Sequence, residues 1–302
     1  MMIRPPTRRN RLLPAATALA LALALGACAT GGGADAATAT TAAATDFNAA
    51  PLLDRADEAL DDGLTEVASG HYQMVLRHDP ENPRARLGMA EINLAAGRGD
   101  AARPQFEALA EHPDLAPRAR QGLGLALLKA GNPDKARAPL EAAVLADAGL
   151  WRAWNALATV HDRAADWAEA RRCYDAALAA APASQRGIIE NNLGFSLVLQ
   201  GHYQDAVPHL MEAARRQRDM DLPRTNLRLA LAWQGRYDEA VAGARPAERA
   251  AVLNNVGYVA LLRGDYPQAE SLLSRAVEAS PSHFASAHGN LAHLKAVRGD
   301  AL

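Results

Sequence analysis

The sequence predicts an all-α protein, built as a solenoid of stacked helix–turn–helix units. The main evidence is a period of 34 residues in the placement of small side chains. The alanines follow three intervals of 34 residues and then intervals of 36, 34 and 29: Ala68, Ala102, Ala136, Ala170, Ala206, Ala240 and Ala269. Glycines fall where the turn between paired helices is expected: Gly63, Gly97, Gly131, Gly201, Gly235 and Gly264. Glycine is typical of a helix C-terminal cap, so the two patterns support the same phase.

The unit at 151–184 carries the most complete motif. It combines large residues, small residues at the helix crossing and a closing proline: Trp154, Leu157, Ala158, Ala170, Tyr174 and Pro182. Ala158 and Ala170 allow the two helix backbones to approach closely, and Pro182 ends the second helix. This pattern resembles the tetratricopeptide repeat. The resemblance implies a right-handed superhelical solenoid of about seven units with a C-terminal capping helix. It also implies binding rather than catalysis.

Phasing on the alanines divides the array, residues 49–302, into seven units and a cap. The units lie near 49–82, 83–116, 117–150, 151–184, 187–220, 221–249 and 250–283, and the cap covers 284–302. Two units depart from the pattern. The first carries Arg55 at the usual leucine position. The sixth is short and carries Arg228 where glycine or alanine is usual.

Residues 1–27 read as a targeting segment rather than as part of the fold. A basic start rich in arginine precedes an apolar run over 12–25, which is short for a membrane span. The run ends in Leu25, Gly26, Ala27 and Cys28, which resembles the processing site of bacterial lipoproteins. The resemblance implies cleavage before Cys28 and lipidation of its thiol. Ala29 then implies the outer membrane, facing the periplasm of a Gram-negative bacterium. The alternative is an ordinary signal peptide followed by an incidental cysteine.

Residues 28–48 join the lipidation site to the array. This segment is mostly alanine, threonine and glycine, so it has too little apolar surface to fold by itself. We predict a flexible tether that spans on the order of 25 Å.

Composition and motif searches predict no enzyme, no cofactor and no metal site. The formal net charge is −2 and no basic cluster dominates the array, which argues against nucleic acid as a partner. The phosphate-binding, serine-hydrolase and zinc-protease motifs are missing from the sequence, and no small-molecule substrate is indicated. Besides Cys28, the chain has Cys173, for which we predict a buried or half-buried, unreactive position on a helix.

The predicted binding surface is the concave groove formed by the first helix of each unit. Arginines occupy the second place of three successive units, which predicts a cationic N-terminal half: Arg84, Arg118 and Arg152. Amide and aromatic residues dominate the groove places further along: Asn155, Asn191, Phe195, Asn226, Trp233, Asn254 and Tyr258. The alternative is structural, because asparagine at this place of the repeat often serves helix packing and edge arginines often serve solubility.

A more specific resemblance covers about a third of the chain. Its three segments are 191–194 (NNLG), 224–236 (RTNLRLALAWQGR) and 254–258 (NNVGY), and the shortened sixth unit, which contains the second of them, also fits. They are similar to the lipoproteins of Tad (Flp) pilus assembly, the TadD-like group, although Arg228 stands where that group has alanine. This resemblance implies a scaffold at the outer membrane that helps to assemble or localise the pilus secretion apparatus. Its partners would then be proteins or peptides of that machinery.

Two other functions fit the same features. One is a type IV pilus pilotin, which is also a lipoprotein of this repeat type and escorts a secretin. The other is an adaptor that regulates enzymes of the cell envelope.

Overall fold

The computed structural model describes residues 47–280 and 284–299, and these form fifteen α-helices with no strand among them. The helices are α1 (Ala50–Asp61), α2 (Thr65–His78), α3 (Pro83–Ala95), α4 (Gly99–Leu109), α5 (Ala116–Lys129), α6 (Pro133–Ala146), α7 (Trp151–Arg163), α8 (Trp167–Ala180), α9 (Arg186–Leu199), α10 (Tyr203–Arg216), α11 (Asp221–Trp233), α12 (Tyr237–Val241), α13 (Arg249–Leu262), α14 (Tyr266–Glu278) and α15 (Ala285–Arg298). Seven helix pairs are followed by one last helix, so the predicted fold class is confirmed.

The pairs stack in chain order. Each first helix packs against its own second helix, and that second helix packs against the first helix of the next pair. First helices of successive pairs also touch one another, whereas second helices do not within the described residues. The first helices therefore line the inner side of the curved stack, which is the surface that such arrays usually present to partners.

Small and large side chains interlock at each helix crossing. The seven periodic alanines are fully buried, and so are the large residues that recur along the second helices: Tyr72, Phe106, Leu140, Tyr174, Leu210 and Leu273. Glycines on first helices make room for several of these side chains, as Gly122 does for Phe106 and Gly194 for Leu210. The core is thus a continuous series of close helix contacts along the stack.

The sixth pair breaks this pattern. Its second helix, α12, has only five residues, and the chain then runs through a loop to α13. Ala244, in that loop, takes the sequence place that a large buried residue holds in the other pairs. As in the other pairs, the first helix α11 also contacts the next first helix, α13.

Turns inside the pairs confirm the predicted role of the periodic glycines. The backbone is left-handed at Gly63, Gly97, Gly131, Gly201, Gly235 and Gly264, with φ between 77° and 81°. The fourth pair differs, because Ala165 occupies this place with φ of 56°. An L-residue in this region has its Cβ close to the carbonyl oxygen, which costs about 1–2 kcal/mol.

Replacing Ala165 with glycine should therefore stabilise the array. Relief of the Cβ contact exceeds the added flexibility of the unfolded chain, so we expect the free energy of unfolding to rise by about 0.5–1 kcal/mol. Urea denaturation followed by circular dichroism measures this change. The matched control, Gly131→Ala, should lower stability by a similar amount. A loss of stability in Ala165→Gly would show that this turn is not strained.

The targeting segment, Cys28 and most of the predicted tether lie outside the described residues. Among those described, no helix is long and apolar enough to cross a membrane.

Candidate partner-binding groove

Two of the predicted groove arginines form ion pairs that join successive pairs of helices. Arg84 Nε donates to Asp57 Oδ2 at 2.7 Å, and its Nη2 donates to Asp54 Oδ1 at 2.9 Å. Arg118 donates two hydrogen bonds to Glu91, from Nε to Oε1 at 3.2 Å and from Nη2 to Oε2 at 2.7 Å. Both arginines start a first helix and reach back to a carboxylate on the preceding first helix. Their charges are therefore largely offset within the stack.

Arg152 is the member of this set without an acidic partner in the described part of the chain. Asp57 and Glu91 are 34 residues apart, and the next place in that series is Leu125. The Arg152 guanidinium instead lies over the Trp151 ring, 5.4 Å from the centroid. Burial raises the pKa of Glu91, against the opposing effects of Arg118 and Arg152. Of the three predicted groove arginines, two are therefore paired with acids, and Arg152 is exposed without an acidic partner among the described residues.

The predicted groove asparagines form a hydrogen-bonded series between neighbouring first helices. Asn226 Nδ2 donates to Asn191 Oδ1 at 2.9 Å, and Asn191 Nδ2 donates to Asn192 Oδ1 at 3.2 Å. Asn192 Nδ2 in turn donates to Asn155 Oδ1 at 3.1 Å. Because Asn191 and Asn226 are buried, their amides serve helix packing within the stack. This is the structural role that the sequence left open.

A second asparagine series begins at α13. Asn290 Nδ2 donates to Asn254 Oδ1 at 2.9 Å, and Asn254 Nδ2 donates to Asn255 Oδ1 at 3.2 Å. No bond between Asn226 and Asn254 joins the two series among the described residues. The break falls at the shortened sixth pair.

The predicted aromatic residues differ in how far they reach the surface. Phe195 on α9 is 37% exposed and Tyr258 on α13 is 40% exposed, which is high for aromatic side chains. Trp233, at the end of α11, is half-buried and stacks on Tyr203 with centroids 5.4 Å apart. Phe195 and Tyr258 are thus the two aromatic residues of the predicted site that are open to a partner.

A pocket of about 450 Å³ opens between α11 and α13. We call it the α11–α13 pocket. Aliphatic side chains dominate its wall, and polar groups close one end; its lining residues are Asp221, Thr225, Arg228, Leu229, Ala232, Glu248, Ala251, Val252, Asn255, Val256, Tyr258 and Val259. Tyr258 belongs to the predicted site, whereas most of the other lining residues were missed. The signal was present in the sequence, since the short sixth unit and Arg228 mark this place.

Arg228 explains how the pocket forms. At the equivalent place in other first helices a glycine or alanine packs against a large residue of the second helix, as Gly194 does against Leu210. That large residue is replaced by Ala244 in the sixth pair, so the Arg228 side chain has room to reach Glu248 at 3.1 Å. The ion pair bridges α11 to the residue before α13 and forms one end of the pocket.

Further ion pairs surround this end. Arg245 donates to Glu248 at 2.6 Å and to Asp221 at 2.7 Å, and Asp221 also accepts from Arg224 at 2.6 Å. The side chain and backbone N–H of Arg245 together with Arg228 hold the pKa of Glu248 at about 2. Glu248 is therefore ionised at neutral pH. The network ties the loop after α12 to the start of α11.

Comparison with known proteins decides the family. The family model of the tetratricopeptide repeat matches residues 53–119, 94–150, 122–185 and 234–284, which together cover more than half of the chain. The chain belongs to the tetratricopeptide repeat family. A search of curated proteins found no significant match.

Several solved structures are similar to this chain at low sequence identity. The Cut9–Hcn1 hetero-tetramer of the APC/C matches with a TM-score of 0.50 and 16% identity, over 82% of this chain and 49% of that one. A tetratricopeptide repeat protein from Parabacteroides merdae matches with a TM-score of 0.48 and 12% identity, over 82% and 98%. YrrB, described as having an unusual peptide-binding site, matches with a TM-score of 0.47 and 21% identity, over 61% and 96%.

Two further side chains of this tetratricopeptide array belong to residue types that could carry chemistry, those of Cys173 and His161. Cys173 is a buried free thiol, as predicted, and burial raises its pKa to about 11. His161 Nδ1 lies 3.2 Å from Asp166 Oδ2, beside the turn of the fourth pair. The described residues contain no group of three or more His, Cys, Asp or Glu side chains placed to hold a metal ion.

Proposed function

We propose that this protein is a scaffold at the outer membrane that binds a protein partner in its concave groove and helps to assemble or localise a Tad (Flp)-type pilus secretion apparatus. Membership of the tetratricopeptide repeat family supports the binding role, because these arrays serve protein–protein interaction. The lipoprotein-like sequence around Cys28 supports the membrane location. The three motif segments support the pilus role.

One observation carries the proposal furthest. The segments that resemble the pilus-assembly group fall on α9, α11 and α13, or at the turn that ends α11. These are first helices, and they carry the exposed Phe195 and Tyr258 as well as the α11–α13 pocket. The most specific part of the sequence thus coincides with the most open apolar part of the groove. Aromatic side chains in such a position commonly dominate binding energy.

Lipid anchoring at Cys28 is the first part to test. In the Cys28→Ser variant we expect loss of acyl labelling and loss of the protein from the outer-membrane fraction, because a serine hydroxyl is not the thiol that lipidation requires. Metabolic labelling with a fatty-acid analogue and membrane fractionation measure these outcomes. Cys173→Ser is the matched control and should remain labelled and anchored. A Cys28→Ser variant that still fractionates with the outer membrane would contradict the anchor.

The pilus role is tested by loss of the gene and by the partners found. Deletion should reduce surface pili, and affinity capture from cross-linked envelopes should enrich components of the pilus secretion apparatus. Capture of a secretin together with loss of secretin multimers would favour a pilotin instead. Enrichment of peptidoglycan hydrolases or proteases, with normal pili, would favour the envelope-enzyme adaptor.

A further inference from the structure

We infer that the α11–α13 pocket receives a large apolar side chain from a peptide segment of the partner, and that acidic residues flank this side chain. The inference rests on the proposed binding function and names the chemistry of the segment recognised. It arises from the short sixth pair, which departs from the regular repeat.

The wall of the pocket supports an apolar side chain. Leu229, Val252 and Val256 provide its aliphatic surface, and Tyr258 stands at the rim with 40% of its surface exposed. Its volume of about 450 Å³ lies within the range of about 300–1,000 Å³ typical of ligand pockets. That space holds one large side chain and part of a neighbour. Removing such a side chain and the pocket wall from water together is favourable.

The charges at the pocket end support acidic flanks. The acids that line the pocket, Asp221 and Glu248, each already accept hydrogen bonds from two arginines. Arg218 lies three residues before Asp221 in the sequence and Arg249 directly follows Glu248; both are exposed, with no ion pair within the described residues. Together with Asp219, the residues of the network and its sequence neighbours comprise five arginines and three acids: Arg218, Arg224, Arg228, Arg245 and Arg249, with Asp219, Asp221 and Glu248. An acidic segment complements this surplus, while a basic segment meets repulsion.

Ala251 offers a way to block the pocket without disturbing the core. It lines the pocket, yet it is exposed on α13. A tryptophan at this position fills the pocket mouth while leaving the buried face of α13 unchanged. Ser286→Trp places the same side chain on α15, at an exposed residue that does not line the pocket, and is the matched control.

The experiment uses the full chain in mild detergent and four fluorescein-labelled peptides of twelve residues, with glycine and serine as spacers. One carries Phe-Leu flanked by glutamates, and another carries Ala-Ala in the same acidic context. The remaining two carry Phe-Leu flanked by lysines or by serines only. Fluorescence anisotropy measures each dissociation constant. We expect the Phe-Leu acidic peptide to bind at least tenfold more tightly than the Ala-Ala and lysine peptides. Ala251→Trp should weaken it at least tenfold, and Ser286→Trp less than twofold.

Several results overturn the inference. The inference fails if the lysine peptide binds most tightly, if the Phe-Leu and Ala-Ala acidic peptides bind equally, or if no peptide binds. It also fails if Ala251→Trp, with unchanged circular dichroism, does not weaken binding. A dimer that dissociates in Ala251→Trp, seen by analytical ultracentrifugation, would assign the pocket to a second copy of the chain instead.

Failure here is distinct from failure of the proposed function. If pilus components are captured equally by wild-type protein and Ala251→Trp, the function stands and the pocket inference falls. If the acidic peptide binds as expected but no pilus component is captured, the pocket stands and the proposed function falls.

Discussion

Replacing Gly122 with alanine should destabilise the array by about 1–3 kcal/mol, although alanine is the better helix former. Gly122 on α5 is buried against Phe106 of α4, whose side chain is fully buried. A Cβ at residue 122 would overlap three carbons of the Phe106 ring, because it would lie much closer to them than van der Waals contact allows. Because the ring is enclosed by the core, it has no free space into which to move. The higher helix propensity of alanine stabilises the variant by about 1 kcal/mol, which does not offset the cost of the overlap.

A second substitution should rescue this variant. At the next interface along the stack, 34 residues on, the places of Phe106 and Gly122 are taken by Leu140 and Ala156. We therefore expect the double variant Phe106→Leu with Gly122→Ala to be more stable than the sum of the two single effects predicts. Urea denaturation of the four proteins in this cycle gives the coupling energy. Additive effects would mean that the two side chains do not share one space.

Replacing Ala170 with leucine should have an effect of similar size. Ala170 is fully buried on α8, inside the fourth pair, where it permits the close approach of α7. Three additional carbons at this crossing overpack the core, and we expect a loss of about 1–3 kcal/mol. Since repeats contact only their neighbours, the damage should concentrate in the adjoining pairs. Hydrogen exchange should show reduced protection from α6 to α9 and little change in α1 and α2.

The matched control for this variant lies on the same helix. Ala168 is exposed, so Ala168→Leu adds the same side chain without entering the core and should change stability by less than about 0.5 kcal/mol. Unchanged protection around residue 170 in Ala170→Leu, or equal losses in both variants, would contradict the assignment of this alanine to the helix crossing.

Residue spacing carries enough information to predict the helix pairs, because close helix contacts need small side chains at fixed places. Ala170 and Gly131 are examples: one is fully buried at a crossing, and the other takes the left-handed backbone of a turn. Ala165 shows the limit of the pattern. It adopts a similar left-handed turn without being glycine, because the packed helices on either side determine the path of the chain.

The binding surface was less predictable, since side-chain partners depend on residues far apart in sequence. Arg118 was expected as an exposed groove charge, but Glu91, 27 residues earlier, pairs with it. Asp57 and Glu91 are 34 residues apart, so the sequence does indicate a series of acids on successive first helices that could pair with the arginines. Asn191 was expected in the groove, but its amide bonds with the neighbouring helix. The α11–α13 pocket arises because α12 is short. A repeat pattern shows which residues recur, and it does not show what space a shortened helix leaves.

Site-specific photocross-linking in the native bacterium tests the central claim most directly, namely that the inner face around the sixth pair binds a component of the pilus apparatus. Benzoylphenylalanine replaces Tyr258, an exposed aromatic residue at the pocket rim, in one variant. It replaces Met211, which is 57% exposed on the second helix α10, in the other. We predict that residue 258 yields a cross-link to a pilus-assembly protein, that residue 211 does not, and that Ala251→Trp abolishes the cross-link. A pilus protein linked only from residue 211, or from neither residue while pili form normally, would contradict the account.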